Sequence, residues 1–195
     1  MRLSKDQLIF KPVTMGEWPD LQKLFGPNGA DGGCWCMWWR IKRSEFDRNH
    51  GEQNRRAMEA IIHSGDVPGL LAYLETEPIG WCSVAPREAF PVLDRSPVLK
   101  RVDDQPVWSI VCFYIARKYR RSGLEGLLIE AAVDYARSRG AKIVEAYPVD
   151  PATEHFDSGS AFTGTVGTFR RLGFEEVARR SKRRAVLRFI IAAPA

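Results

Sequence analysis

Ile115-Ala-Arg-Lys-Tyr-Arg-Arg-Ser-Gly-Leu-Glu-Gly-Leu-Leu128 joins the longest apolar run of the central chain to its cleanest amphipathic helix. The run at 107–115 lies between Pro106 and Arg117, and its continuous apolar character predicts a strand buried on both faces. A helix is predicted over 124–139. Leu124, Leu127, Leu128, Ala131 and Tyr135 fall on one of its faces, and Gly140 terminates it. The turn between the two carries Arg117, Lys118, Arg120 and Arg121. A helix N-terminus presents unpaired N–H groups and partial positive charge, and Gly123 lets that backbone approach a ligand closely. Strand, basic turn and helix together predict an anion cradle after a central strand.

Outward from this unit, a strand at 8–13 precedes a helix capped by Thr14, with Trp18, Leu21, Leu24 and Phe25 at helical spacing. Residues 26–33 are glycine-rich and read as a loop. They lead into Cys34-Trp-Cys-Met-Trp-Trp-Arg40. One helix is expected over 44–62, closing at Gly65. A β-hairpin follows at 69–75 and 79–84, and 86–100 reads as irregular. After the central unit come a strand at 142–146, a helix at 165–171 and a terminal hairpin at 174–180 and 184–191. The mixed order predicts an α/β domain whose sheet is mostly antiparallel, with one central parallel β-α-β unit and flanking helices. Length suits a single domain over 1–195, with 1–66 an elaboration on a core at 68–191.

Composition narrows the classes. With 45% hydrophobic and 27% charged residues the chain is expected to be globular. No apolar run approaches the roughly 18 residues of a membrane span, and no secretory signal is seen, so a cytoplasmic location is expected. The net charge of +5 concentrates in the last stretch, from Arg170 to Arg188. That stretch is either a hairpin with solvated basic positions or an anion-binding face. No nucleic-acid motif accompanies it, so recognition of nucleic acid is not expected. Cys34-x-Cys36 has too short a spacing for zinc, Cys82 and Cys112 lie in apolar strands, and no metal is expected. The dinucleotide fingerprint is absent, and Gly159–Thr165 has P-loop spacing without its lysine.

Three blocks resemble the acyl-CoA motif of the GNAT acetyltransferase family. They are Phe113-Tyr-Ile-Ala-Arg-Lys-Tyr-Arg-Arg-Ser-Gly-Leu, then Leu127-Leu-Ile-Glu-Ala-Ala132, then Ala136-Arg-Ser-Arg-Gly-Ala141. The closing Phe169-Arg-Arg-Leu-Gly-Phe174 is similar to that family's second landmark. The resemblance implies the GNAT acyl-CoA N-acyltransferase fold and transfer of an acetyl or short acyl group from acetyl-CoA to an amine by direct attack on the thioester. The amine acceptor is unidentified, and a homodimer is compatible with the sequence. Arg120 and Gly123 match the family's Arg/Gln-x-x-Gly turn. Amides of Arg121, Ser122, Gly123, Leu124, Glu125 and Gly126 are then expected at the pyrophosphate. Phe113, Tyr114 and Ile115 are expected along the pantetheine arm, which requires that strand to splay from 142–146.

Two departures from the family pattern stand out. Glu125 occupies a position where the family has Gly or Ala, and a carboxylate in the helix's first turn competes with phosphate for the dipole. Phe169 stands where many members place the tyrosine that protonates the leaving thiolate, so an aromatic wall survives without its proton donor. Tyr114 or Tyr147 is expected to replace the phenol. Glu145 is the nearest candidate base, with Asp150 and His155 beyond it. Trp35, Trp38 and Trp39 read as core or as pocket wall, and the family's use of its first two helices to shape the acceptor site favours the pocket. A net basic chain is a poor host for a polycationic acceptor. The rival reading is an acyl-CoA-binding regulatory module without turnover; a modifier bound to RNA or the ribosome rests only on the basic hairpin.

Overall fold

The computed structural model describes residues 2–152 and 162–192. Seven strands form one sheet: β1 (Leu8–Pro12), β2 (Gly69–Leu74), β3 (Glu77–Pro86), β4 (Trp108–Ile115), β5 (Ile143–Ala146), β6 (Glu175–Ala178) and β7 (Val186–Ile190). Their order is β1-β2-β3-β4-β5-β7-β6. Only β4 and β5 run parallel, joined through helix α5 (Leu124–Ser138). One face of the sheet is covered by α5 and by α6 (Val166–Arg171), packed on Leu70, Ile79, Val84 and Ile110. Gly80 permits the close approach of α5, since an added Cβ there would lie 2.9 Å from a Leu124 methyl. The other face carries α1 (Trp18–Phe25), α2 (Arg43–Arg48) and α3 (Glu52–His63), whose apolar sides meet Leu71, Tyr73 and Trp81.

The expected helix over 44–62 is two helices. The break is made by Gly51, whose φ of 73° no helix interior accommodates. Its amide donates to Gly33 O at 3.0 Å, and Asn54 Nδ2 donates to the same carbonyl at 3.1 Å. The glycine loop at 26–33 is thereby tied to the second helical segment. Thr14 does not cap α1 directly. Its hydroxyl donates to Glu17 Oε2 at 2.6 Å in a preceding turn, and Glu17 is the residue before the helix. The stretch 86–100 contains a single 3-10 turn at Arg87–Ala89 and helix α4 (Pro91–Arg95).

Two irregularities in the middle of the sheet position the site. The β3–β4 register runs Ser83↔Cys112 and then Val84↔Ile110, so Val111 is a β-bulge. The bulge puts Ile110 and Phe113 toward α5 but Cys112 and Tyr114 toward α1. The buried carbonyl of Val111 accepts from Trp39 Nε1 at 3.1 Å. The second irregularity is a splay. Pairing of β4 with β5 stops at Ile110↔Ala146, while β4 continues to Ile115 against β3 alone. Beyond Ala146 the chain is drawn away: Val149 bridges to Thr165 on one side and Arg184 on the other.

A candidate donor cleft and acceptor cavity along β4

The turn after β4 is held from below. Ser122 is buried, its hydroxyl donates to Tyr119 O at 2.6 Å, and its carbonyl accepts from Leu3 N at 2.9 Å. Tyr119 Oη donates to Glu77 Oε2 at 3.0 Å. Arg121 has φ of 62° and Gly123 has φ of 89°, so left-handed residues alternate through the turn. Such alternation points successive amides into one concavity. Among the described residues, the amides of 121–125 donate to no acceptor, and the ladder of α5 begins with Gly126 and Leu127 donating to Gly123 O. A cavity of about 420 Å³ opens over this turn, bordered by Arg2, Arg120, Arg121 and Arg171. An added Cβ at Gly123 meets no protein atom within 4 Å, so the approach to that backbone is open. Arg120 folds back, its Nε donating to Ile115 O at 3.2 Å. Free amides, cationic rim and helix dipole fit a pyrophosphate, and the unpaired edge of β4 at Phe113, Tyr114 and Ile115 fits an extended amide-bearing arm.

Glu125 is not turned to solvent. Its side chain tucks between α5 and α6, where Oε1 is buried without a hydrogen-bond partner and sits 3.1 Å from a Cβ built on Gly164. Burial pushes its carboxyl above the usual carboxylate range, although the Thr165 amide, the Thr168 hydroxyl and Arg171 pull the other way. Phe169 is fully buried, 6.2 Å from the Phe113 ring and 4.9 Å from the Phe174 ring.

On the opposite face of β4 lies a second cavity of about 310 Å³. Trp38 and Trp39 line it together with Phe25, Phe46, Tyr114 and Phe162. The three tryptophans therefore divide. Trp35 is core, wedged 5.8 Å from Trp18 and 5.6 Å from Phe25 beneath Gly29, where any Cβ would strike its indole. Tyr114 is half-buried, packs edge-on against Phe25 at 5.6 Å, and its hydroxyl has no partner among the described residues. Cys34, Cys36 and Cys112 also line this cavity. Hydrogen bonding from the Cys112 thiol, the Trp81 indole at 3.3 Å and the Arg40 charge hold the Cys36 thiol down at about 7 despite burial.

Glu145 lies elsewhere in function. It is 1% exposed, and its two oxygens accept from Arg87 Nη1 at 2.8 Å, Tyr147 Oη at 2.7 Å and Arg188 Nε at 2.7 Å. Arg87 is 1% exposed and also binds Asp94 at 2.8 Å and Leu99 O at 2.9 Å, while Arg188 forks onto Asp103 at 2.6 and 3.0 Å. Tyr147 is fully buried, and burial beside Glu145 pushes its phenol well above the ordinary value. A carboxylate with two buried guanidinium partners is an ion-pair centre, not a poised base. The sequence offered no sign of this, because Arg87 reads as part of an irregular stretch. Asp150 is paired with Arg179 at 3.0 Å, and His155 lies outside the described residues.

The basic C-terminal stretch is likewise internally engaged. Arg179 pairs with Glu176, Arg180 Nη1 donates to Lys100 O at 2.7 Å, and Arg184 Nη1 donates to Tyr147 O at 3.0 Å. Among the described residues no group of His, Cys, Asp or Glu side chains could hold a metal ion, and no helix is long and apolar enough to cross a membrane.

Free amides at a helix N-terminus, set beside parallel strands that part, give an α/β fold with a candidate anion cradle. A family model described as the acetyltransferase (GNAT) family matches residues 35–156, more than half the chain, and the chain belongs to that family. Solved structures share its fold at low identity. A GNAT-family acetyltransferase from Listeria monocytogenes is 10% identical with a TM-score of 0.60, over 94% of this chain and 95% of that one. Another from Streptococcus agalactiae is 10% identical with a TM-score of 0.56, over 95% and 96%. The PaiA N-acetyltransferase of Thermoplasma acidophilum, in complex with coenzyme A, is 11% identical with a TM-score of 0.52, over 94% and 99%. No curated protein matches the chain by sequence.

Proposed function

We propose that this protein transfers an acetyl or other short acyl group from acetyl-CoA to an amine by direct attack of the amine on the thioester. The observation that carries this reading is the run of undonated amides at 121–125, continuous with the unpaired edge of β4. The amides would hold the pyrophosphate, with Arg120 and Arg121 adding charge at the rim. Amides of Phe113 and Ile115, which face away from β3, would hold the pantetheine arm and polarise the thioester carbonyl, while the Tyr114 amide faces β3; the role needs no side chain. Acetyl-CoA supplies the activated acyl group.

The residues of this chain then have three tasks. The cavity beneath Trp38 and Trp39 excludes water and orients the acceptor. Tyr114, lining that cavity with a free hydroxyl, is the candidate proton donor to the departing thiolate. Glu145 is set aside as base, because proton uptake there would break two buried ion pairs; it holds β5, β7 and the Arg87 turn together instead. That the chemistry runs without a carboxylate base keeps the rival reading, a binding module without turnover, in competition. Thiol release from acetyl-CoA in the presence of amines decides between them. Release dependent on the amine, reduced at least about tenfold in Tyr114→Phe, supports the enzyme. Tight binding with no release under any amine supports the module.

A further inference from the structure

Resting on the acyl-transfer reading, we infer that the acceptor is an uncharged aromatic amine, one whose nitrogen is attached to or conjugated with a ring. The cavity beside Cys112, Phe113 and Tyr114 is walled by aromatic rings with their faces and edges in varied tilt. Trp38 stands edge-on to Phe46 at 5.2 Å and to Trp39 at 6.4 Å. Rings so arranged receive a further ring by edge-to-face contact, and about 310 Å³ accommodates one or two rings.

The charges around the cavity argue against an ammonium. Its charged lining residues are Asp31, Arg43 and His50, and all three are exposed at the rim. Arg43 lies 4.0 Å above the Trp38 ring, so the aromatic face that a cationic amine would use already carries a guanidinium. The carboxylate on the neighbouring strand, Glu145, is neutralised by Arg87 and Arg188. At the rim, His50 Nδ1 is bonded to Gly32 O at 2.7 Å and Nε2 lies 4.0 Å from the exposed Asp47. Beneath the rim the lining holds no carboxylate to pair with an alkylammonium, and its most acidic thiol, Cys36, already accepts from the Trp81 indole at 3.3 Å. An aliphatic amine with a pKa near that of lysine is neutral in only about one molecule in a thousand or fewer at pH 7. An amine conjugated with a ring arrives neutral, so its lone pair attacks without prior deprotonation, and entering an apolar cavity costs it no buried charge. The N–H proton it sheds afterwards passes to the departing thiolate through Tyr114.

The test uses a matched pair with purified protein and acetyl-CoA, following free thiol. The amines are 4-methoxyaniline and 4-methoxybenzylamine, which differ by one methylene, alongside spermidine and a short peptide with a free N-terminus. At pH 7 the aniline is expected to be turned over with kcat/KM at least about tenfold above the other three. Trp38→Ala is expected to raise its KM about fivefold while leaving the Kd for acetyl-CoA unchanged, and Phe46→Leu gives a milder version of the same change. The inference is overturned by equal or faster turnover of the benzylamine, spermidine or peptide. It is also overturned if acetyl-CoA binds and the aniline is inert, or if both cavity variants leave its KM unmoved. Failure to bind acetyl-CoA at all removes the underlying acyl-transfer reading as well, which separates the two results.

Discussion

The two halves of β4 are built differently. Along residues 108–110 the strand is paired on both sides, and the polar groups around it are spent: Ser109, Tyr147, Glu145, Arg87 and Arg188 form one closed network. From Cys112 to Ile115 the strand has a partner on one side only, and a cavity opens on each face. The paired half is where the titratable side chains lie, and they are committed to holding the sheet. The open half has no carboxylate, and beside Tyr114 and the cavity's thiols it offers backbone amides and aromatic walls. On the proposed reading, chemistry is placed where secondary structure stops short of completing its hydrogen bonds.

The sharpest way to break this contrast is to cut the closed network. Glu145→Gln leaves two buried guanidinium groups short of charge and should cost about 3–5 kcal/mol in urea unfolding. Acetyl-CoA affinity of the folded protein should be unchanged. A loss of turnover with no loss of stability would return Glu145 to the chemistry.

Next in size is the open half. Gly123→Val places a β-branched side chain at a φ of 89°, over a backbone with no protein atom near the new Cβ. Strain should cost about 1–2 kcal/mol of stability. Acetyl-CoA affinity should fall at least about a hundredfold, because the phosphate approach is filled. Calorimetric titration and thermal melting on the same sample separate the two effects. Normal affinity would misplace the cradle.

Glu125→Gln sharpens the same region with a smaller change. Removing a carboxylate from the first turn of α5 should tighten acetyl-CoA about two- to fivefold at pH 7, from a helix-end charge effect of roughly 0.5–1 kcal/mol. Burial raises the folded-state pKa of Glu125, so the stability linked to its protonated form is complete below the unfolded pKa and lost as pH rises through the folded value. The variant should therefore gain stability over the parent at neutral pH and lose that gain in acid. An advantage growing toward low pH would contradict the placement.

The smallest effect belongs to the exposed end of the closed network. Hydrogen bonds from Arg188 hold the Asp103 carboxyl down at about 2, below the ordinary 3.8. Its contribution is present above 3.8 and is lost as pH falls through about 2. Asp103→Asn should lower stability slightly at neutral pH and converge with the parent as pH falls through about 2, as followed by acid titration of the far-UV signal.

What was legible in the sequence follows the same division. The turn and its free amides were readable because they are local: a glycine, a basic turn and a helix face lie within 14 consecutive residues, 115–128. The parallel unit was expected from the strand, helix and strand over 107–146, and the splay from the family resemblance. The fate of Glu145 was not, because its partners Arg87 and Arg188 stand 58 and 43 residues away and enter from a turn and from β7. The tryptophans could not be sorted either. Trp35 and Trp38 share one segment, and only the left-handed backbone at Trp35 and Cys36 sends the first into the core and the second to the cavity. The break between α2 and α3 depends on Gly33 and Gly51 meeting across the loop, a tertiary contact that helical periodicity cannot register.

The most direct test of the open half of β4 is isothermal titration of the purified protein with acetyl-CoA, with CoA, butyryl-CoA and ATP alongside. The account predicts binding of the CoA series in the micromolar range, with ATP silent because it lacks the arm that β4 would hold. No heat and no thermal stabilisation by any of the CoA compounds, or equal binding of ATP, would contradict it.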